Sequence, residues 1–156
     1  MSTKKAYEKL SDLENLQKQL RKLSGLHTRE EWSAAIVRAA TAAEIAANYA
    51  IRQELISKRK LETEFVDNLL RWANGLSGKL ERLLIPLTSK EAGKATKMKE
   101  LKGLANEINI QRNSIVHQGE FCNEDEATRV IEKTREFIVD LVRLYEPGFE
   151  IDIKRK

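Results

Sequence analysis

Leucine recurs near the start of the chain at Leu10, Leu13, Leu16, Leu20 and Leu23, in steps of three, three, four and three. Only a helix brings such positions onto one side, so the pattern predicts an amphipathic helix that ends near Gly25. Thr28-Arg29-Glu30-Glu31 has the form of a capping box and opens a second, long helix reaching about Lys58. A third is expected from Glu62 to about Leu84, with Phe65, Leu69, Trp72, Leu76 and Leu80 as candidate core positions. Gly75 and Gly78 are the places where it would bend or break, and Pro86 should end it by removing a donor and restricting Ile85. After a loop from Thr88 to about Lys94, a fourth helix carries Met98, Leu101, Leu104, Ala105 and Ile108 on its inner side and closes at Gly119. Asn123 then caps a fifth, in which Val130, Ile131, Thr134, Phe137, Ile138, Leu141 and Leu144 are spaced for burial.

Long helices joined by short loops pack as antiparallel neighbours. The expected fold is therefore all-α, a single helical domain over residues 1–146 built as an up-and-down four-helix bundle with an additional N-terminal helix. Residues 147–156 read differently. Phe149-Glu150-Ile151-Asp152-Ile153-Lys154 alternates apolar and polar side chains with period two, beyond a Pro147-Gly148 break. A short extended C-terminal tail is expected, either packing Phe149, Ile151 and Ile153 into a groove of the bundle or pairing with a strand of a partner.

Charged residues make up 33% of the chain against 41% hydrophobic, with only two Pro and seven Gly, which excludes a fibrous or disordered protein. Cys122 is the single cysteine, so there is no internal disulfide, and no Cys or His beside it makes a zinc site. Neither a cofactor nor a metal is expected. Met1-Ser2-Thr3-Lys4-Lys5 leads into an amphipathic pattern rather than an apolar signal core, and no run approaches membrane-spanning length. The reading is a cytoplasmic protein without membrane partners. Its formal charge of +4 matters only where it clusters. Lys90, Lys94, Lys97, Lys99 and Lys102 face only Glu91 and Glu100 within their own stretch, and Lys58-Arg59-Lys60 and Lys154-Arg155-Lys156 are smaller groups. Such a cluster is either an RNA-binding surface or a solvated helix face.

Helix two is largely alanine from Ala34 to Ala50, which lets neighbours approach closely, and one stripe reads Val37, Ala40, Glu44, Asn48, Ile51, Leu55. A carboxylate among core positions needs a cation or strong donor, and Arg112 is the best candidate; otherwise Glu44 lies at the edge, in water. Asn48, one turn on, is a supporting residue or satisfies a helix end.

Arg112-Asn113-Ser114-Ile115-Val116-His117 is the segment that looks like chemistry. Helical geometry, about 100° per residue, puts Asn113 and His117 one turn apart on a common side, with Arg112 able to reach the same surface. An imidazole exchanges a proton near neutral pH, and a guanidinium matches the oxygens of a phosphate. An Arg and a His at a helix C-terminus also have a purely structural explanation. An Arg, then Asn, Asp or His, then a few residues to a His, on a late helix of an all-helical chain with an acid in an earlier helix, resembles the HEPN superfamily of nucleotide-binding and ribonuclease domains. The resemblance covers about residues 28–145.

It implies a homodimer whose two copies of the motif form one composite site, and metal-independent cleavage of RNA by the ribose 2′-hydroxyl. Arg112 would hold the phosphate, Asn113 would orient substrate or His, and His117 would be the general acid or base, with Glu44 loosely matching the helix-two acid. A toxin or defence effector is the implied setting, with an antitoxin or regulatory protein as a further partner. One subset of the family adds a Tyr two residues after the His, the target of a modifying antitoxin; Gly119 stands there, against that form of control. The other reading is a non-catalytic dimeric helical module that binds RNA or a protein partner.

Overall fold

Alanine decides the architecture. In α2 (Trp32–Arg52) Ala35, Ala39, Ala42, Ala43, Ala46, Ala47 and Ala50 are all fully buried, so neighbouring helices close in on several sides of one element. The computed structural model describes residues 2–28, 31–73, 75–118 and 123–151, excepting the side chains of 2–11, 26–28, 117 and 118. Among these every regular element is helical. Helix α1 (Ser2–Thr28), α5 (Ala92–Gln118) and α6 (Glu124–Arg143) pack along α2. No helix among the described residues is long and apolar enough to cross a membrane.

Leu16, Leu20 and Leu23 of α1 are buried against this centre, and that packing carries the helix through Gly25 to Thr28. The capping box at Thr28 therefore does not form as expected. Thr28 is spent as the end of α1, Arg29 and Glu30 lie outside the described residues, and Glu31 is the N-cap of α2 without a side-chain bond. The other end of α2 passes into a π-helical turn, Gln53–Lys58, so the helix ends where the sequence placed it but with wider i→i+5 winding.

The expected third helix is two helices. Gly75 takes φ +88°, a conformation open to glycine and strained for other residues, and separates α3 (Thr63–Trp72) from α4 (76–87). Helix α3 also presents a different side to the core. Val66 and Leu70 are buried, whereas Phe65 is 58% and Trp72 86% exposed. Spacing identifies positions that share a side; where one wide apolar side holds Phe65, Leu69 and Trp72 as well as Val66 and Leu70, it does not say which half turns inward. Pro86 does not end the helix before it. Ile85 stays helical, Lys79–Leu84 forms a second π-helical turn whose wider winding gives the ring room, and the helix stops at Leu87.

The last two helices follow their pattern. Met98, Leu101, Ala105 and Ile108 of α5 are buried, as are Val130, Ile131, Phe137, Ile138 and Leu141 of α6. Asn123 Oδ1 accepts from the Glu126 amide at 2.9 Å, and buried Thr134 donates back to the Val130 carbonyl at 2.7 Å. Gly119, the expected cap of α5, lies outside the described residues. Beyond α6 the tail takes the first of its two expected courses. Phe149 is buried, Ile151 packs against the core, Arg143 Nε donates to the Phe149 carbonyl at 2.9 Å, and Gln17 of α1 donates to the Glu150 carbonyl at 3.0 Å. Ile153 and Lys154-Arg155-Lys156 lie outside the described residues.

Candidate functional site

Because the chain turns at Gly75, the start of α4 is laid against α5 and leaves a cleft between it and α2. Ala40, Thr41, Glu44, Gly75, Leu76, Asn109 and Arg112 line about 400 Å³ there. That volume suits a small ligand or one unit of a polymer. The structure thus brings Glu44 and Arg112 to one place, as their sequence pattern suggested, but not as a pair. Lys79 is the partner of Glu44: its ammonium donates to Glu44 Oε1 at 2.8 Å from a side chain only 4% exposed, while Glu44 keeps 39% of its surface open. Lys79 begins the π-helical turn of α4 between buried Leu76 and Leu80. A cation three residues after Leu76 and four before Leu83, on the apolar side of the helix, was the legible signal for it, and that signal was missed.

Arg112 is consequently left over. It is partly buried, its Nη1 lies 3.3 Å from Asn113 Oδ1, and no carboxylate pairs with it among the described residues. Asn113 is exposed. The α5 backbone stays helical to Gln118, which carries position 117 one turn beyond Asn113; the His117 side chain lies outside the described residues. Asn48 does not line the cleft and does not serve a helix end, since it sits mid-helix with its Oδ1 buried and without a hydrogen-bond partner. Side chains around the cleft are bonded in a defined sense. Ser77 donates to Asn106 Oδ1 at 2.8 Å, Asn109 Nδ2 donates to Ser77 Oγ at 3.3 Å, and Thr41 donates to the Val37 carbonyl at 3.2 Å.

The lysine cluster divides. Lys97 pairs with Asp140 at 3.1 Å and Lys102 reaches Glu81 at 3.6 Å, while Lys90 and Lys99 are exposed. Lys94 turns inward. It lies 3.3 Å from Glu54 Oε2 and 4.5 Å from the centre of the Tyr145 ring. Glu54, on the π-helical end of α2, is completely buried, and its carboxylate also accepts from Tyr145 at 2.7 Å and from Arg59 at 2.7 Å. Arg59 holds the Leu87 carbonyl as well, at 2.9 Å, so this cage ties together α2, α4, α5 and the end of α6. Burial alone would push the Glu54 carboxyl up; the Tyr145 hydroxyl, Arg59 and Lys94 outweigh it and hold it below the ordinary 4.5. Burial, then the bond to Glu54, drives the Tyr145 phenol far above its usual range. Sequence reading grouped Lys58 and Arg59 with the exposed basic residues and passed over Glu54, because two of its partners, Lys94 and Tyr145, come from distant segments.

Among the described residues no three His, Cys, Asp or Glu side chains gather as a metal site would require. No protein-family model, no curated protein and no solved structure matches the chain.

Proposed function

We propose that the chain is a cytoplasmic, metal-independent endoribonuclease of HEPN type, a homodimer in which two copies of the Arg112, Asn113 and His117 segment form one composite site. A toxin or defence effector is the setting that suits such an activity, and α2, α4, α5 and α6 would be the four-helix core. Arg112 carries the assignment. Lys79 neutralises Glu44, and among the described residues no acid pairs with the guanidinium beside them in the cleft. A fork left in this state is suited to the oxygens of a phosphodiester. Ile110 at 62% and Val116 at 46% leave apolar surface exposed on the same stretch of α5, which a second copy would cover.

In the reaction the ribose 2′-oxygen bonds to the adjacent phosphorus as the bond from phosphorus to the 5′-oxygen breaks. The 2′-hydroxyl loses its proton and the leaving 5′-oxygen gains one, giving a 2′,3′-cyclic phosphate and a 5′-hydroxyl. His117 transfers protons, Arg112 balances charge developing at phosphorus, and Asn113 steadies the guanidinium.

Incubation of the purified chain with total RNA in chelator, beside His117→Ala, tests this. The wild type should leave cyclic phosphate ends, and the variant should lose roughly 100-fold or more of the rate. Equal cleavage by both overturns the assignment. RNA that is bound but never cut by the wild type would point to a non-catalytic RNA-binding module.

A further inference from the structure

The cleft beside Arg112 holds more than a phosphate requires. Away from Arg112, most of its remaining hydrogen-bonding capacity is that of an acceptor. Glu44 gives Oε1 to Lys79 and keeps Oε2. The Asn109 amide nitrogen is turned to Ser77, so its Oδ1 is left as an acceptor, and the Thr41 hydroxyl has its proton on the Val37 carbonyl and only lone pairs to offer. Three acceptors therefore line the cleft beside Arg112, with the second Asn109 N–H as the other free donor. Whatever enters must bring an anion for the guanidinium and hydrogen-bond donors for the rest.

We infer that this cleft is a nucleobase subsite next to the bound phosphate, and that it selects guanine by the edge carrying N1–H and the 2-amino group. The inference deepens the ribonuclease reading and rests on it. Of the four RNA bases only guanine sets two donors side by side, which a carboxylate with a neighbouring amide oxygen can accept together. Adenine and cytosine place a lone-pair nitrogen beside their single amino group, and uracil flanks one N–H with two carbonyl oxygens, so each would aim an acceptor at Glu44. Lys79 acts here as a positioning residue. Buried beneath the cleft, it holds one carboxylate oxygen and so fixes which oxygen is free.

Calorimetric titration of the full-length chain with guanosine, inosine, adenosine, cytidine and uridine 5′-monophosphates tests the subsite without any cleavage. Guanosine monophosphate should bind roughly 10- to 100-fold more tightly than the adenosine, cytidine and uridine forms, with inosine monophosphate, which lacks the 2-amino group, in between. Glu44→Gln should abolish the preference for guanosine over adenosine, Lys79→Met should narrow the ratio, and Arg112→Ala should weaken all five alike. A flat series overturns the subsite, as does a guanine preference that survives Glu44→Gln; the wild-type series alone decides should a variant fail to fold. Failure of the two readings is separable. RNA cut without regard to guanosine, by a chain with a flat series, removes the subsite and leaves the nuclease, whereas selective guanosine monophosphate binding by a chain that cuts no RNA removes the nuclease and leaves the subsite.

Discussion

Glu44 and Glu54 stand ten residues apart on the same helix, each paired with a lysine, and they end in opposite conditions. Glu54 is closed off entirely, with Tyr145, Arg59 and Lys94 on its two oxygens. Glu44 is closed on one oxygen and open on the other, and there it is the lysine that is buried. One member of each pair, Glu54 and Lys79, lies on a π-helical turn, where the wider winding re-aims a side chain that an α-helix would direct elsewhere. A fully satisfied buried charge binds elements of the protein to one another. A half-satisfied one keeps bonding capacity for something the chain does not contain.

The comparison breaks first at Glu54. Glu54→Ala strands Arg59, Lys94 and the Tyr145 hydroxyl without their acceptor, and should cost about 3 kcal/mol, the low end for breaking a buried pair, since Lys94 and Arg59 retain some exposure. Thermal melting should fall by roughly 6–12 °C. The same group gives an acid signature. Its folded pKa is depressed, so its stabilisation is complete above the ordinary 4.5 and disappears as pH falls through the lower folded value. Urea titrations from pH 6 downward should show that acid slope in the wild type and a flatter one in Glu54→Gln; parallel slopes would mean that the cage does not hold the carboxylate charged.

At the cleft the two partners should behave asymmetrically. Glu44→Ala leaves Lys79 buried and unpaired and should destabilise by about 2 kcal/mol, whereas Lys79→Met replaces the cation by an apolar chain of similar length and should fall within about 1 kcal/mol of wild type. Equal losses from both would make this pair a structural strut like the cage. Between the two acids lies Tyr49, buried with its hydroxyl unpartnered and its phenol pushed up to about 12, by burial first and then by Glu146 and Asp12. Tyr49→Phe removes a polar atom that satisfies nothing, and denaturant midpoints should rise by up to about 1 kcal/mol equivalent. The smallest effect is expected at Trp72. With 86% of the residue exposed, Trp72→Ser should move stability by less than about 0.5 kcal/mol; a large loss would return it to the core.

Much of the helical order was open to a reader of the sequence, and the misses have physical causes. The α6 stripe from Val130 to Leu141 is periodic, capped by Asn123 and one-sided, so spacing and burial agree. In α3, Phe65 and Trp72 are spaced for one side as regularly as Val66 and Leu70, and only packing decides which set is inside. Placing Glu44 with Arg112 in one region was sound because both patterns are helical. Their pairing was not, because ion pairs depend on side-chain reach across elements, and the buried Lys79 was closer.

What the amino-acid order determined by itself is local: helices, where Gly75 breaks one, the alanine surface of α2, and the register of Arg112, Asn113 and His117 on α5. These follow from backbone propensity and from periods of about 3.6 residues, which act over a few turns. Tertiary structure alone decided that Lys79 would neutralise Glu44 and free Arg112, that Lys94 would turn from the lysine cluster into the Glu54 cage, and that the tail would dock on α1. Such outcomes compare the desolvation of one charge with the reach of several alternative partners, and that balance exists only once distant segments are brought within a few ångströms of each other.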